Sequence, residues 1–249
     1  MKKATLIIGV LMIASLISFK PKRNNSVPPG TIKITDTFFA DKTEVENVAW
    51  REYIHWLNRK FGEQSKEYLS ALPDSSVWMN TSLTSIQKKY FRHREYANYP
   101  VVGISYQQAK AFCKWRSDRV NEAIYRRKNN ISFHPDINIP YEKIDKIYEY
   151  RLPTKEEWRL IVSSNNSRYK NHSRRGLTTR HLSYPAQNPR SKKKEFCHLN
   201  SNVSELIEEK GTAMGGNWKN QDDKNGCGYK YEKATNWVGF RCVCDKKQK

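Results

Sequence analysis

Helix-start signals coincide with helical apolar spacing at three places in this chain, and they constrain its fold more than any other feature. In Thr43-Glu44-Val45-Glu46 and in Ser105-Tyr106-Gln107-Gln108, a hydroxyl residue stands three positions before a side chain that can reach back to it. That spacing satisfies the first free N–H groups of a helix reciprocally. Thr154-Lys155-Glu156-Glu157 repeats the pattern directly after Pro153, which helps to end the preceding segment. The first signal predicts an amphipathic helix to about Lys60, with Val45, Ala49, Tyr53, Trp56 and Leu57 on one face. The second sets Tyr106, Ala109, Cys113, Arg116 and Val120 on one face, and the third does so for Trp158, Ile161 and Val162. Ile32-Lys33-Ile34-Thr35 alternates as a half-buried strand does. Toward the C-terminus the helix signals fade, and Gly-rich turns with short aromatic segments take over. These elements predict a few helices followed by an irregular, β-rich C-terminal part, with no internal repeat.

Seven Trp, fourteen Tyr and nine Phe within a 37% hydrophobic composition can supply a packed core for one large domain or two small ones, which excludes wholesale disorder. No run of about 20 apolar residues is present, so a polytopic membrane protein is excluded. Met1-Lys2-Lys3 followed by the apolar stretch Ala4 to Phe19 reads as the basic and hydrophobic regions of an export signal, or as an uncleaved N-terminal anchor. Residues 1–19 are thus read as signal or anchor, 20–30 as a Pro-rich tether, and 31–245 as the domain. No cysteine precedes Cys113, so a lipid-modified cysteine after the apolar stretch is not expected.

Export to the periplasm or cell envelope removes nucleic acid from the expected partners and permits disulfides. The formal net charge of +20 then points to an envelope protein, an acidic glycan or anionic lipid, with peripheral or N-terminally anchored membrane association. Nine Lys and Arg residues and no acid fall within 163–194. That stretch reads either as a solvated loop or as a contact surface for an anionic partner.

A series of blocks follows in a definite order: Glu44-Val45-Glu46-Asn47, Pro100 to Tyr106 leading to Phe112-Cys113-Lys114-Trp115, and Arg151-Leu152-Pro153-Thr154-Lys155-Glu156-Glu157-Trp158. Asn202-Val203-Ser204-Glu205, Gly215-Gly216-Asn217-Trp218 and Gly239-Phe240-Arg241-Cys242 complete it. The series resembles the formylglycine-generating enzyme, or sulfatase-modifying factor, family over about residues 29–244. It looks most like exported members from Bacteroidetes-type bacteria, including relatives of the gliding-motility lipoproteins. The resemblance implies an irregular α+β fold related to C-type lectin-like domains. About 35 residues between Trp115 and Arg151 then look like an insertion, at about 123–150.

In active members of that family a cysteine pair after the Gly-Gly block binds copper, because soft thiolates hold Cu(I). The matching positions here are Asn220 and Asn225, and the nearest thiol is Cys227. Amides are poor Cu(I) ligands, so the resemblance implies no catalytic residue and makes copper an unexpected cofactor. A family calcium site would fall on the Glu205 carboxylate with carbonyl oxygens of Ser201 and Val203, although His198 stands where the family has Asp or Asn. The alternative is that Glu205 is a satisfied structural carboxylate. The resemblance also pairs Cys113 with Cys242 in a disulfide, the alternative being that Cys113 is a buried thiol. Cys197 and Cys227 are the next pair, leaving Cys244. The expected function is a non-catalytic binding or structural component of the envelope; the competing one is a metal-dependent oxidoreductase of altered chemistry.

Overall fold

The computed structural model describes residues 27–79, 89–133, 139–164, 196–220 and 226–247. The signal or anchor segment, most of the tether, nearly all of the basic stretch and Asn225 lie outside the described residues. Among the described residues, two small sheets and four α-helices make a mixed α+β architecture with much irregular chain. The first sheet has the order β1 (Thr31–Lys33), β2 (Phe38–Asp41), β8 (Val243–Lys246), β3 (Tyr148–Arg151), all antiparallel. It joins the two ends of the domain, with Phe39 opposite Cys244. The second has the order β6 (Tyr229–Lys230), β5 (Thr212–Met214), β4 (Ser204–Leu206), β7 (Val238–Gly239), with β4 and β7 parallel.

The first helix of the domain, α1 (Asn47–Phe61), begins three residues later than a cap at Thr43 requires. Val45 instead donates its N–H to the Phe240 carbonyl and accepts from the Val101 N–H, while Glu46 bridges Pro100. Long-range strand-like pairing has overridden the local capping signal, and Glu46 flanks the helix without a side-chain cap. The buried face of α1 also differs in detail from the expected one. Trp50, absent from that stripe, is fully buried, stacks on Phe112 with centroids 5.3 Å apart, and donates its indole N–H to the Ala71 carbonyl at the end of α2 (Lys66–Ala71). Phe240 meets both rings edge-on, completing an aromatic core.

At Ser105 the capping box forms as expected and opens the 23-residue helix α3 (Tyr106–Lys128). Its length carries it into the stretch read as an insertion, which also contains most of β3. Two side chains one turn apart on α3 complete the outer edge of β3. Asn121 accepts from the N–H groups of Ile147 and Tyr148 and donates to the Tyr148 carbonyl, and Ser117 accepts from the N–H of Tyr150. Four helical residues rise ~6 Å and two strand residues span ~6.7 Å, so the two spacings match. An open edge that would otherwise template another strand is thereby closed.

The third capping box also forms. Thr154 and Glu157 exchange bonds at the start of α4 (Lys155–Ser164), whose buried residues are Trp158 and Ile161. Among the described residues no helix is long and apolar enough to cross a membrane.

Candidate functional site

The sequence blocks converge on the second sheet. Asn202 to Leu206 leads into β4, which runs parallel to β7, so that Glu205 lies opposite Gly239 and Arg241 follows two residues later. Behind β4, Gly215 adopts φ +82°, and a Cβ there would stand 2.4 Å from the Leu199 carbonyl oxygen, which only glycine avoids. Its own carbonyl accepts from the Ser204 hydroxyl, which in turn accepts from Asn217. The Gly-Gly-Asn-Trp block is therefore an architectural clamp on β4.

At the centre stands an internal ion pair with neither side chain exposed. Arg241 Nε and Nη2 donate to the two oxygens of Glu205 at 2.7 and 2.6 Å, and the Trp158 indole N–H adds a third bond at 3.0 Å. The rest of the guanidinium is spent on the carbonyls of Asp41, Lys42 and Cys197. Burial works against the Arg241 charge, but Glu205 facing it, with Glu44 and Asp41 behind, holds its pKa above the ordinary value.

Glu44, missed as a site residue, is the second carboxylate of this cluster. One oxygen accepts from Asn202 and the other is buried without a hydrogen bond. Burial pushes its carboxyl up to about 8, with Glu205 adding to the rise and Arg241 opposing it. Its position inside the Glu-Val-Glu-Asn block was the available signal.

Glu205 is thus held by a guanidinium and an indole rather than set among further oxygen ligands. His198, which has a left-handed backbone (φ +57°), faces the Ser201 hydroxyl at 3.3 Å. No group of three or more His, Cys, Asp or Glu side chains suited to a metal occurs among the described residues. These residues do not fit the calcium site read on Glu205, Ser201 and Val203, because a cation already occupies the carboxylate.

The thiols are dispersed. Cys113 and Cys242 are brought together at 3.5 Å, both buried, but as unbonded thiols, and the structure contains no disulfide among the described residues. Cys197 is fixed beside Lys42 and Arg241, whereas Cys227 is exposed next to Gly226, whose carbonyl accepts from Arg159. Burial, reinforced by Cys113, pushes the Cys242 thiol up; burial also raises Cys244. Protonated thiols are the wrong form for binding a metal. Asn220 is exposed, in a turn whose N–H groups at Lys219 and Asn220 are both accepted by the Asn217 side chain.

Comparison with known proteins follows the same lines. The family model described as "Sulfatase-modifying factor enzyme 1-like domain" matches residues 10–204, which leaves the Gly-Gly-Asn-Trp and Gly-Phe-Arg-Cys blocks beyond the matched stretch. A solved structure titled "Crystal Structure of CarF" is similar at 15% identity and a TM-score of 0.44, covering 85% of this chain and 87% of that one. No curated protein matches the chain. With the match spanning most of its length, the chain belongs to the sulfatase-modifying factor enzyme 1-like domain family.

Proposed function

We propose that this chain is a non-catalytic member of its family, exported to the periplasm or cell envelope and acting there as a binding or structural component. One observation carries the reading. Asn220 stands where the first copper thiolate of an active member would be, exposed on a turn that Asn217 organises, with Asn225 at the second position. An amide offers neither the soft sulfur nor the negative charge that Cu(I) and its oxygen chemistry require. Cys227 supplies one sulfur, and Glu205 is committed to Arg241. A relation to exported gliding-motility proteins belongs to the same proposal and rests on the order of the blocks.

The test is to incubate the purified chain with copper, oxygen and a peptide carrying the sulfatase Cys-x-Pro-x-Arg motif, and to look for formylglycine by mass spectrometry. No product is expected. Turnover that disappears in Cys227→Ser would overturn the reading.

A further inference from the structure

We propose that the groove between α3 and β3 is a binding site for an acidic oligosaccharide, a chain bearing carboxylate or sulfate groups. The groove has a volume of about 350 Å3. That lies in the range of about 300–1,000 Å3 usual for small-ligand sites. Lys110 and Lys114 line it from successive turns of α3, and Lys146 lines it from the segment before β3. None of the three forms an ion pair with a carboxylate among the described residues.

The other cations there are spent. Arg151 is held by Glu157 and Asp245, Lys247 pairs with Glu149 at 2.9 Å, and Asp118 accepts from the Tyr141 hydroxyl. Asp118 and Glu208 are the lining carboxylates without an ion pair among the described residues, because a phenol hydroxyl leaves the Asp118 charge in place. Three ammonium groups against two unpaired carboxylates leave a concave surface with an excess of one positive charge, and low-dielectric walls concentrate its field.

The arrangement selects the class of anion. The charges are compact and spread along two walls, which suits acidic groups repeated along a chain. A single phosphate is better held by a guanidinium fork or converging backbone N–H groups. Tyr106 and Tyr141 contribute aromatic rings, each with a lysine ammonium over it at 5.5 and 4.8 Å. The lining aliphatic and thiol side chains Leu152 and Cys113 are buried, so the apolar surface the groove presents comes from tyrosine rings and lysine stems, which suit sugar faces.

This inference deepens the binding reading, yet the groove shares no residue with Asn220 or Cys227. Formylglycine formation would therefore refute the non-catalytic reading and leave the groove standing.

The test uses the full chain in calorimetric titrations with a heparin-derived hexasaccharide, hexagalacturonate, neutral maltohexaose, and vesicles of phosphatidylglycerol in phosphatidylcholine. Lys110→Glu/Lys114→Glu and, separately, Lys146→Glu are compared with Lys66→Glu/Lys233→Glu, a charge-matched double variant outside the groove. The expected result is binding of an acidic hexasaccharide but not maltohexaose, weakened on the order of tenfold by the groove variants and less than about twofold by the control. Equal weakening by the Lys110/Lys114 and control double variants would assign binding to overall charge and overturn the proposal. Binding to vesicles without binding to either acidic oligosaccharide would overturn it too, as would no binding to any probe.

Discussion

Arg241 and Glu205 meet side by side with neither exposed, two N–H groups of one guanidinium donating to the two oxygens of one carboxylate. The pair ties the segment between β7 and β8 to β4, and through the Asp41, Lys42 and Cys197 carbonyls it also reaches the first sheet and the segment before β4. Removing one partner leaves a buried charge without compensation, which typically costs ~3–5 kcal/mol. Arg241→Ala and Glu205→Ala are each expected to lose about that much in urea unfolding, and the double variant to lose less than the sum. Because Arg241 stands in the place of a divalent cation, a calcium chelator is expected to shift the melting temperature of the intact chain by less than about 1 °C.

Glu44 makes stability depend on pH in an uncommon direction. Its carboxyl is pushed up to about 8 by burial from an ordinary value of 4.5. Between those values it holds its proton in the folded chain and is ionised in the unfolded one. Its contribution is therefore fully present below the window and is lost as pH rises through it. Glu44→Gln keeps an acceptor for Asn202 and removes the titration. The variant is expected to be more stable than the parent at about pH 8, by on the order of 1–3 kcal/mol, and similar to it near pH 5. Chemical unfolding at both pH values measures the difference.

Asn121 replaces a missing strand along the edge of β3. Asn121→Ala removes three hydrogen bonds and leaves two backbone N–H groups and a carbonyl without those partners. A loss of about 2–3 kcal/mol is expected. The distinguishing readout is hydrogen exchange, in which the amides of Ile147 and Tyr148 lose protection first.

The Cys113 and Cys242 sulfurs need to close from 3.5 Å to a bond length of ~2.05 Å to form a disulfide. Mild oxidation of the purified chain is expected to join these two cysteines, read as a crosslinked peptide in a non-reducing digest, and to add about 2–4 kcal/mol of stability. Cys113→Ser/Cys242→Ser abolishes both effects.

Two of the three helix starts were legible in the sequence because a capping box is closed within four residues. Ser105 with Gln108, and Thr154 with Glu157, bond as their spacing dictates. Glu205 was recognisable as a carboxylate worth following, and Cys113 and Cys242 as residues that belong together. The start at Thr43 failed because Phe240 and Val101, far away along the chain, compete for the same backbone groups and win. Nor could any local pattern show that the cation facing Glu205 is Arg241, or that Glu44 is buried behind them. The groove lysines come from α3 and from a segment some thirty residues further on, so only the docking of α3 against β3 creates that site. Sequence by itself determined the elements whose bonds close locally and the aromatic residues that make a core. Tertiary structure decided which charges meet, because that depends on strands and loops whose partners are distant in the chain, and in a buried site the partner determines whether a carboxylate holds a metal, a proton or an arginine.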